Sequence, residues 1–401
     1  MTKQIDSATI AVRAAIESDT QFGAVVPPLY LSTNFAFAGF GEKREYDYTR
    51  SGNPTRDALA DALTELEGGA GAVITASGMA TLTLLCHLLK PGDVLVAPHD
   101  CYGGTFRLFD KLASKGHFEV LFVDQTDSTA VARACLRKPK LILTETPSNP
   151  LLRIVDIAKM AQFAKDCGAL LAVDNTFLSP ALQTPIALGA DIVLHSTTKY
   201  INGHSDVVGG AVIAANDELA AELCWWANCL GLTGAPFDSF LTLRGLRTLR
   251  PRIRQHEENA QLLANVLFDQ PQVAKVYYPG LATHPGHELA ARQQRGFGGM
   301  LSFELNGGDV AIRTFLQHLQ HFSLAESLGG VESLVCHPAS MTHAPVAPEA
   351  LAKAGIGRNL IRLSVGIESG DDLVADVLAA LDAAQCKAKL SIVHGTQAGG
   401  L

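Results

Sequence analysis

Asp191-Ile-Val-Leu-His-Ser-Thr-Thr-Lys199-Tyr200-Ile-Asn-Gly-His204 reads as a short apolar strand, Ile192 to Leu194, that delivers Ser196, Thr198 and Lys199 into a glycine-containing loop. An unpartnered buried ammonium is costly, so a lysine at a strand end either runs its stem out to water or uses its amine in chemistry. Six other runs share this apolar character: Ala72-Val-Ile-Thr75, Val94-Leu-Val-Ala97, Val120-Leu-Phe-Val123, Leu141-Ile-Leu-Thr144, Leu170-Leu-Ala-Val173 and Ala211-Val-Ile-Ala214. Helical patterns such as Met79 to Leu89 and Ile157 to Cys167 lie between them. The alternation predicts an α/β chain with a mostly parallel seven-stranded sheet and helices on both faces.

Ahead of this region, Asn53-Pro54-Thr55 opens a helix with Leu59, Leu63 and Leu66 on one face, ended by Glu67-Gly68-Gly69. Residues 1–60 are rich in turn formers, including Val26-Pro-Pro28 and Tyr46-Asp-Tyr48-Thr-Arg50-Ser-Gly-Asn-Pro54. They lack the period of an independent core and read as an arm lying over another domain or a neighbouring subunit. Further on, one long helical pattern from Pro236 to Asn265 carries Arg244, Arg247, Arg250, Arg252 and Arg254, expected on a solvated face or a subunit contact. Val273-Ala-Lys-Val276, Met300-Leu-Ser-Phe303 and Leu360-Ile-Arg-Leu363, with helical patterns at 308–319 and 371–384, predict a smaller C-terminal α+β domain. The expected division is an arm at 1–60, a large domain at 61–255 and a small domain at 256–401, whose tail from Lys387 to Leu401 is expected to fray.

With 401 residues, 47% of them hydrophobic, the chain can bury a sizeable core. A net charge of -8 and the absence of a basic block argue against nucleic acid and anionic membranes as partners. Met1-Thr-Lys-Gln-Ile-Asp-Ser7 lacks the apolar stretch of a signal peptide, and the run from Val207 to Ala215 is too short to span a bilayer, so a cytoplasmic protein is expected. Eight scattered cysteines without a CxxC pair predict reduced, mostly buried thiols. His284 and His287 have roughly helical spacing, but no carboxylate or cysteine accompanies them and no metal site is expected.

The strand ends turn polar together: Ser77-Gly78-Met79, Asp100-Cys-Tyr102-Gly-Gly104, Glu145-Thr-Pro-Ser-Asn149-Pro150, Asp174-Asn175-Thr176 and Ser196-Thr-Thr198-Lys199. In open α/β sheets ligands sit at this edge. Gly78 and Met79 open a helix whose N–H groups suit a phosphate, although a strand-to-helix turn with a serine cap has the same sequence. Ser196 and Thr198, two residues apart on an extended segment, can add hydroxyls. Asp174 ends an otherwise apolar strand and needs a cation or strong donor, such as a protonated ring nitrogen, or else caps the next helix. Tyr102 can lay its ring over a flat heterocycle. Amine, carboxylate and phosphate cradle together suit pyridoxal 5′-phosphate. His195 and His204 acquire no role.

Those motifs, with Tyr48-Thr-Arg50, Asn53-Pro-Thr55 and Ser327-Leu-Gly-Gly330-Val-Glu-Ser333, resemble the Cys/Met-metabolism family of pyridoxal-phosphate-dependent enzymes, the trans-sulfuration enzymes, over Thr9 to Leu381. The resemblance implies a fold-type I, aminotransferase-like protomer in a homotetramer built as a dimer of dimers. It makes Lys199 the Schiff-base lysine and proton shuttle, Asp174 the ring-nitrogen partner and Tyr102 the stacked ring, with Lys199 and Tyr102 as candidate catalytic residues. Gly78, Met79, Ser196 and Thr198 become phosphate ligands, joined by Tyr48 and Arg50 from the neighbouring subunit. Arg362 is implied to clamp the substrate α-carboxylate, with Ser327 and Asn149 nearby, a role suited to a bidentate fork.

Within the family, Tyr102-Gly-Gly104-Thr105 places glycine where methionine γ-lyases carry cysteine. Ala325-Glu326-Ser327-Leu328 resembles the γ-synthase and γ-lyase pattern rather than that of the bacterial β-lyases, so Glu326 joins the substrate residues. Arg107 and Asp47 resemble residues that hold a succinyl carboxylate and the amino group of incoming cysteine; a helix-surface ion pair is the alternative for Arg107. The implied reaction is replacement of succinate in O-succinyl-L-homoserine by L-cysteine, giving L-cystathionine. The alternatives are α,γ-elimination of cystathionine, O-acylhomoserine sulfhydrylation, and, outside this chemistry, an α/β protein that binds a phosphorylated metabolite without catalysis.

Overall fold

Seven strands form the first sheet: β1 Gly71–Thr75, β2 Val94–Pro98, β3 Glu119–Val123, β4 Leu141–Glu145, β5 Leu170–Asp174, β6 Ile192–His195 and β7 Gly210–Ala214. They belong to a computed structural model that describes residues 5–342 and 354–397. The sheet order is β1-β7-β6-β5-β4-β2-β3. β3, β2, β4, β5 and β6 run parallel, and β7 is antiparallel to both β6 and β1. Six strands therefore point the same way, and all seven fall within one residue of the runs read from sequence.

Burial on both faces explains why these strands read as continuous apolar runs. Leu141 and Leu143 join Leu95, Ala97, Ala172, Ile192 and Leu194 in one core cluster, while Ile142 joins Val96, Leu171 and Val173 in another. The helix Ile157–Cys167 covers the second face and Gly78–Cys86 the first. The helix Pro54–Glu67 starts on Asn53, whose side chain accepts from the Thr55 and Arg56 N–H groups, and stops at Gly68 with φ 73°. Leu59, Leu63 and Leu66 are its buried face.

The described chain divides into two units, the first running to Thr146 and again from Val155 to Pro251, the second made of Pro147–Ile154 and the chain from Arg252. In the second unit β8 Val273–Tyr277, β9 Met300–Leu305, β10 Ser323–Leu324, β11 Leu334–Cys336 and β12 Leu360–Ser364 form a sheet of order β10-β11-β12-β9-β8. Residues of the helices Gly308–His318 and Gly370–Gln397 pack on it around Phe303, Phe315 and Leu373. β10 and β11, two and three residues long, are too short to show a period and were not expected.

Several expectations are corrected. The helical pattern from Pro236 to Asn265 is two helices, Pro236–Leu246 and Leu249–Phe268. They part where the Thr248 hydroxyl and N–H both turn back to the Gly245 carbonyl, competing with helix propagation. Arg252 is buried rather than solvated, and burial pulls its pKa down to about 10. The tail does not leave the helix at Lys387: the backbone stays helical to Gln397, since Ala384-Gln-Cys-Lys-Ala388 contains no proline or glycine to stop it, and only 398–401 of the tail lie outside the described residues. Of the eight free cysteines, Cys86, Cys101 and Cys336 are buried, while Cys224, Cys229 and Cys386 are exposed. His284 precedes the helix His287–Gln293, so the histidine pair does not share a helical face.

In the second unit His256 is fully enclosed and its Nδ1–H donates to the Val365 carbonyl at 2.6 Å. Burial lowers its pKa from 6.5 to about 4, opposed by that bond. The folded value lies below the unfolded one, so stability is present above pH 6.5 and is lost as pH falls toward 4. The loss is about 3 kcal/mol for a shift of this size. His256→Gln keeps a donor for Val365 without a titrating group. Urea unfolding at stepped pH should show an acid loss about 2–3 kcal/mol smaller for the variant than for the parent; equal slopes would contradict this.

Candidate active site

β1, β2, β4, β5 and β6 all deliver their carboxyl ends to one edge of the first sheet, bringing their polar residues together. At the end of β1, Ser77 Oγ caps the helix Gly78–Cys86 by accepting from Ala80 N at 3.1 Å. The cap satisfies the third helical N–H, and those of Gly78 and Met79 take no acceptor among the described residues. A Cβ placed on Gly78 would come within 2.9 Å of Ser196 Oγ, so glycine is what lets the two loops meet. The Ser196 hydroxyl itself has no hydrogen-bond partner among the described residues. Two N–H groups at a helix N-terminus and a hydroxyl beside them form a cradle for an anion. The Thr198 hydroxyl donates to the Gly209 carbonyl at 3.2 Å and accepts from the Gly209 N–H at 3.0 Å.

Asp174 closes β5 and forms no ion pair among the described residues. Burial pushes its carboxyl above the usual 3.8, opposed by the hydroxyl and N–H of Thr176 and by His195 on the neighbouring strand. Thr176 N donates to Asp174 Oδ1 at 3.0 Å, and Thr176 Oγ1 accepts from Ser196 N at 2.9 Å. One threonine thus connects the carboxylate to the anion cradle. Its value could have been suspected from sequence only because it follows Asp174 by two residues, on the same side of an extended chain. Glu67, which binds His195 and Asn175 beneath these strand ends, left no signal in the sequence beyond ending a helix.

Lys199 is half-buried in a tight turn, its N–H donating to the Ser196 carbonyl at 3.2 Å and its own carbonyl accepting from Gly203 at 2.8 Å. Tyr102, 41% exposed, precedes the helix Gly103–Ser114, and its N–H is fixed by Glu145 Oε2 at 3.0 Å. A Cβ on Gly104 would meet the Tyr102 ring at 2.5 Å and Met79 Sδ at 2.8 Å, so the ring, Met79 and the anion cradle are neighbours. Arg107, on the same helix, is exposed and has no ion-pair partner among the described residues.

In residues 1–60, Arg50 Nε donates to Asn228 Oδ1 at 3.1 Å and its guanidinium lies 5.6 Å from the Tyr48 ring centroid, so the pair sits as one exposed patch. Asp47 is engaged by Lys43 Nζ at 2.5 Å and by the Ser51 hydroxyl, which hold its carboxyl below the usual range. In the second unit Arg362, buried on β12, donates through Nη1 to Asn149 Oδ1 at 2.9 Å and through Nη2 to the Ser327 carbonyl at 2.9 Å. Ser327 holds φ at 78°, a strained value for a side chain, which the surrounding bonds enforce. Glu326 beside it is exposed.

A flat heterocycle bearing a phosphate and a protonated ring nitrogen fits the first unit. The phosphate matches the unpartnered Gly78 and Met79 N–H groups with Ser196, the nitrogen matches the desolvated Asp174, and Tyr102 offers a ring face.

The model for "Cys/Met metabolism PLP-dependent enzyme" matches residues 8–382. A cystathionine γ-synthase of Escherichia coli (strain K12) is 60% identical over 371 residues, 92% of this chain and 96% of the relative. A cystathionine γ-lyase of Dictyostelium discoideum is 48% identical over 93% of this chain and 97% of the relative. The crystal structure of cystathionine γ-synthase from Xanthomonas oryzae pv. oryzae in complex with cystathionine superposes with TM-score 0.95 at 62% identity, covering 96% of this chain and 100% of that one.

A carboxyl whose folded pKa lies above its unfolded value gives stability at low pH and loses it as pH rises, so at neutral pH Asp174 lowers the stability of the cofactor-free protein. Asp174→Asn should therefore raise the cofactor-free melting temperature at pH 7 by on the order of 1–2 °C. The same change should weaken pyridoxal phosphate binding about tenfold or more. Calorimetry and cofactor titration read the two effects, and a variant that loses stability while binding normally would contradict both.

Proposed function

We propose that this chain, which belongs to the Cys/Met metabolism PLP-dependent enzyme family, replaces the succinate of O-succinyl-L-homoserine with L-cysteine, giving L-cystathionine. The observation that carries the reading is the meeting of the Gly78–Met79–Ser196 anion cradle with desolvated Asp174 and Lys199 at one sheet edge. Pyridoxal phosphate, when bound, supplies the electron sink that makes the substrate Cα and Cβ protons removable. Asp174 holds the proton on the ring nitrogen, helped by the Thr176 donors that keep its charge. The Gly78 and Met79 N–H groups and the Ser196 hydroxyl hold the phosphate. Tyr102 covers the ring face, its backbone anchored by Glu145.

Lys199 takes the Cα proton, removes one from Cβ so that the Cγ–O bond can break, and returns protons to Cβ and Cα once sulfur has added, while the proton of the cysteine thiol is released with succinate. The Cγ–O bond to succinate breaks and a Cγ–S bond to the cysteine sulfur forms. Arg362, its guanidinium preset by Asn149 and the Ser327 carbonyl, receives the α-carboxylate. Arg107, exposed without an acidic partner, receives the succinyl carboxylate. Glu326 is the weakest assignment on structural grounds, being exposed, and Asp47 must exchange Lys43 for a substrate amine to act. Thr198 serves the phosphate only if its hydroxyl leaves Gly209.

Residues 1–60 are proposed to complete the site of a neighbouring subunit in a homotetramer, with Tyr48 and Arg50 reaching its phosphate. Phe22, Leu31, Phe37 and Phe40 are exposed along this segment, with Phe22 at 82%, more apolar surface than a segment left in water would carry. The division into arm, large and small domains follows the same reading. A cytoplasmic location agrees with eight free thiols, and among the described residues no helix is long and apolar enough to cross a membrane. Elimination of cystathionine is the second reading, favoured by the 48% identity to a γ-lyase.

Succinate release from O-succinylhomoserine, followed with and without cysteine, tests the main reading. Cystathionine should accumulate with cysteine present, at rates well above 2-oxobutanoate formation from cystathionine; dominance of the latter would establish the lyase reading instead. Arg107→Ala should raise KM for O-succinylhomoserine about 10- to 100-fold, the worth of a charge-assisted carboxylate bond, and leave KM for cysteine nearly unchanged. An unaltered KM would remove Arg107 from the substrate residues.

A further inference from the structure

His195 closes β6 one residue before Ser196, with its imidazole fully enclosed. Its Nε2 stands 2.6 Å from Glu67 Oε1, with both side chains 0% exposed. The same carboxylate oxygen accepts from Asn175 Nδ2 at 2.9 Å. Asn175 Nδ2 also donates to the Gln183 carbonyl at 2.9 Å, and its Oδ1 accepts from Gln183 Nε2 at 3.0 Å. Gln183 Nε2 reaches on to the Thr146 carbonyl at 3.3 Å. One carboxylate at the end of the helix Pro54–Glu67 therefore ties together the ends of β5 and β6, and through Gln183 the residue that follows β4.

This arrangement is expensive for a purely structural element. Glu67 Oε2 and His195 Nδ1 are both buried without a hydrogen-bond partner among the described residues. A carboxylate in the last turn of a helix also opposes the helix dipole. Apolar side chains of the same volume would commonly hold strand ends at least as well, so a half-satisfied buried pair calls for another reason. Its place supplies one. Asn175 directly follows Asp174, and His195 directly precedes Ser196. Successive side chains on an extended chain point to opposite faces, so the clamp grips the backs of the two strand ends whose fronts carry the ring-nitrogen anchor and the phosphate hydroxyl. The ladder continues between them, Asn175 N donating to the Leu194 carbonyl at 3.0 Å. The residue facing His195 across β7 is Ala211, which carries no charge, so Glu67 and Asp174 are the titratable groups that act on the imidazole.

We propose that Glu67 and His195 are positioning residues for the cofactor: their buried hydrogen bond fixes the relative placement of Asp174 and Ser196, and so the tilt of a ring held at both ends. The proposal rests on the reading of Asp174 and Ser196 as cofactor anchors. Glu67 and His195 touch neither the cofactor nor the substrate; they act through the strand ends they hold.

The test compares Glu67→Met, His195→Phe and His195→Gln with the parent. Each cofactor-free protein is titrated with pyridoxal 5′-phosphate, the visible circular dichroism of the loaded protein is recorded, and the cofactor-free melting temperature is measured in parallel. Glu67→Met and His195→Phe, which remove the acceptor and the donor, should raise the cofactor Kd about tenfold, as loss of a group that orients a ligating residue commonly does. Both should diminish the visible dichroic band, which reports ring orientation. His195→Gln, whose Nε2 still reaches Glu67, should stay within about twofold of the parent. Lower melting temperatures with an unchanged Kd and unchanged visible dichroism would overturn the proposal and leave the pair a structural staple. Should His195→Phe fail to fold, Glu67→Met decides alone on the same two readouts. Failure of the parent to take up cofactor would overturn the reading of the site and the proposal with it, an outcome distinct from variants that bind as the parent does.

Discussion

A half-buried carboxylate at the end of an apolar strand is the interaction on which this structure's chemistry depends. Asp174 is there because β5 buries Ala172 in one core cluster and Leu171 and Val173 in the other, and its polar residue can come only where the strand stops. Desolvation raises its carboxyl, and only the Thr176 donors and His195 oppose this. Such a group favours a bound cation, and on the proposed reading a protonated ring nitrogen is that cation. The surrounding parts then have a single logic: an anion cradle for the phosphate, a ring face from Tyr102, and an amine from Lys199 that the same sheet edge presents.

The first unit was legible in sequence because a doubly covered parallel sheet writes its strands as uninterrupted apolar runs. Ile192 to Leu194 and Leu141 to Thr144 carry no alternation to misread, and each ends abruptly in polar residues. The second unit was legible only where its strands exceeded four residues. Ser323–Leu324 and Leu334–Cys336 owe their pairing to neighbours already in place, β12 above all, and a two-residue run has no period to detect. The break at Arg247-Thr248 went unseen because it depends on a hydroxyl turning back to a carbonyl, which composition does not announce. Arg252 was misplaced for a related reason: an arginine's charge predicts solvent, and only packing shows otherwise.

Among candidate site residues, those proposed to act by type drew notice in the sequence and those that support them did not. A lysine, an aspartate and a glycine–methionine helix start stand out against apolar strands. Thr176 and Glu67 do not, since a threonine after a strand and a glutamate at a helix end are ordinary. Thr198 shows the converse: its spacing from Ser196 suggested a second hydroxyl for the anion, yet the structure gives that hydroxyl to Gly209. Spacing fixes which side of a chain a residue leaves from, and the nearest competing acceptor decides where its proton goes.

All of this assigns the covalent chemistry to one amine. The most direct measurement is to load the purified protein with pyridoxal 5′-phosphate, reduce it with borohydride, digest it and locate the modified peptide by mass spectrometry. The account predicts the phosphopyridoxyl group on Lys199, with Lys199→Ala leaving no labelled peptide. A stable label on another lysine of the parent protein, or none at all, would contradict it.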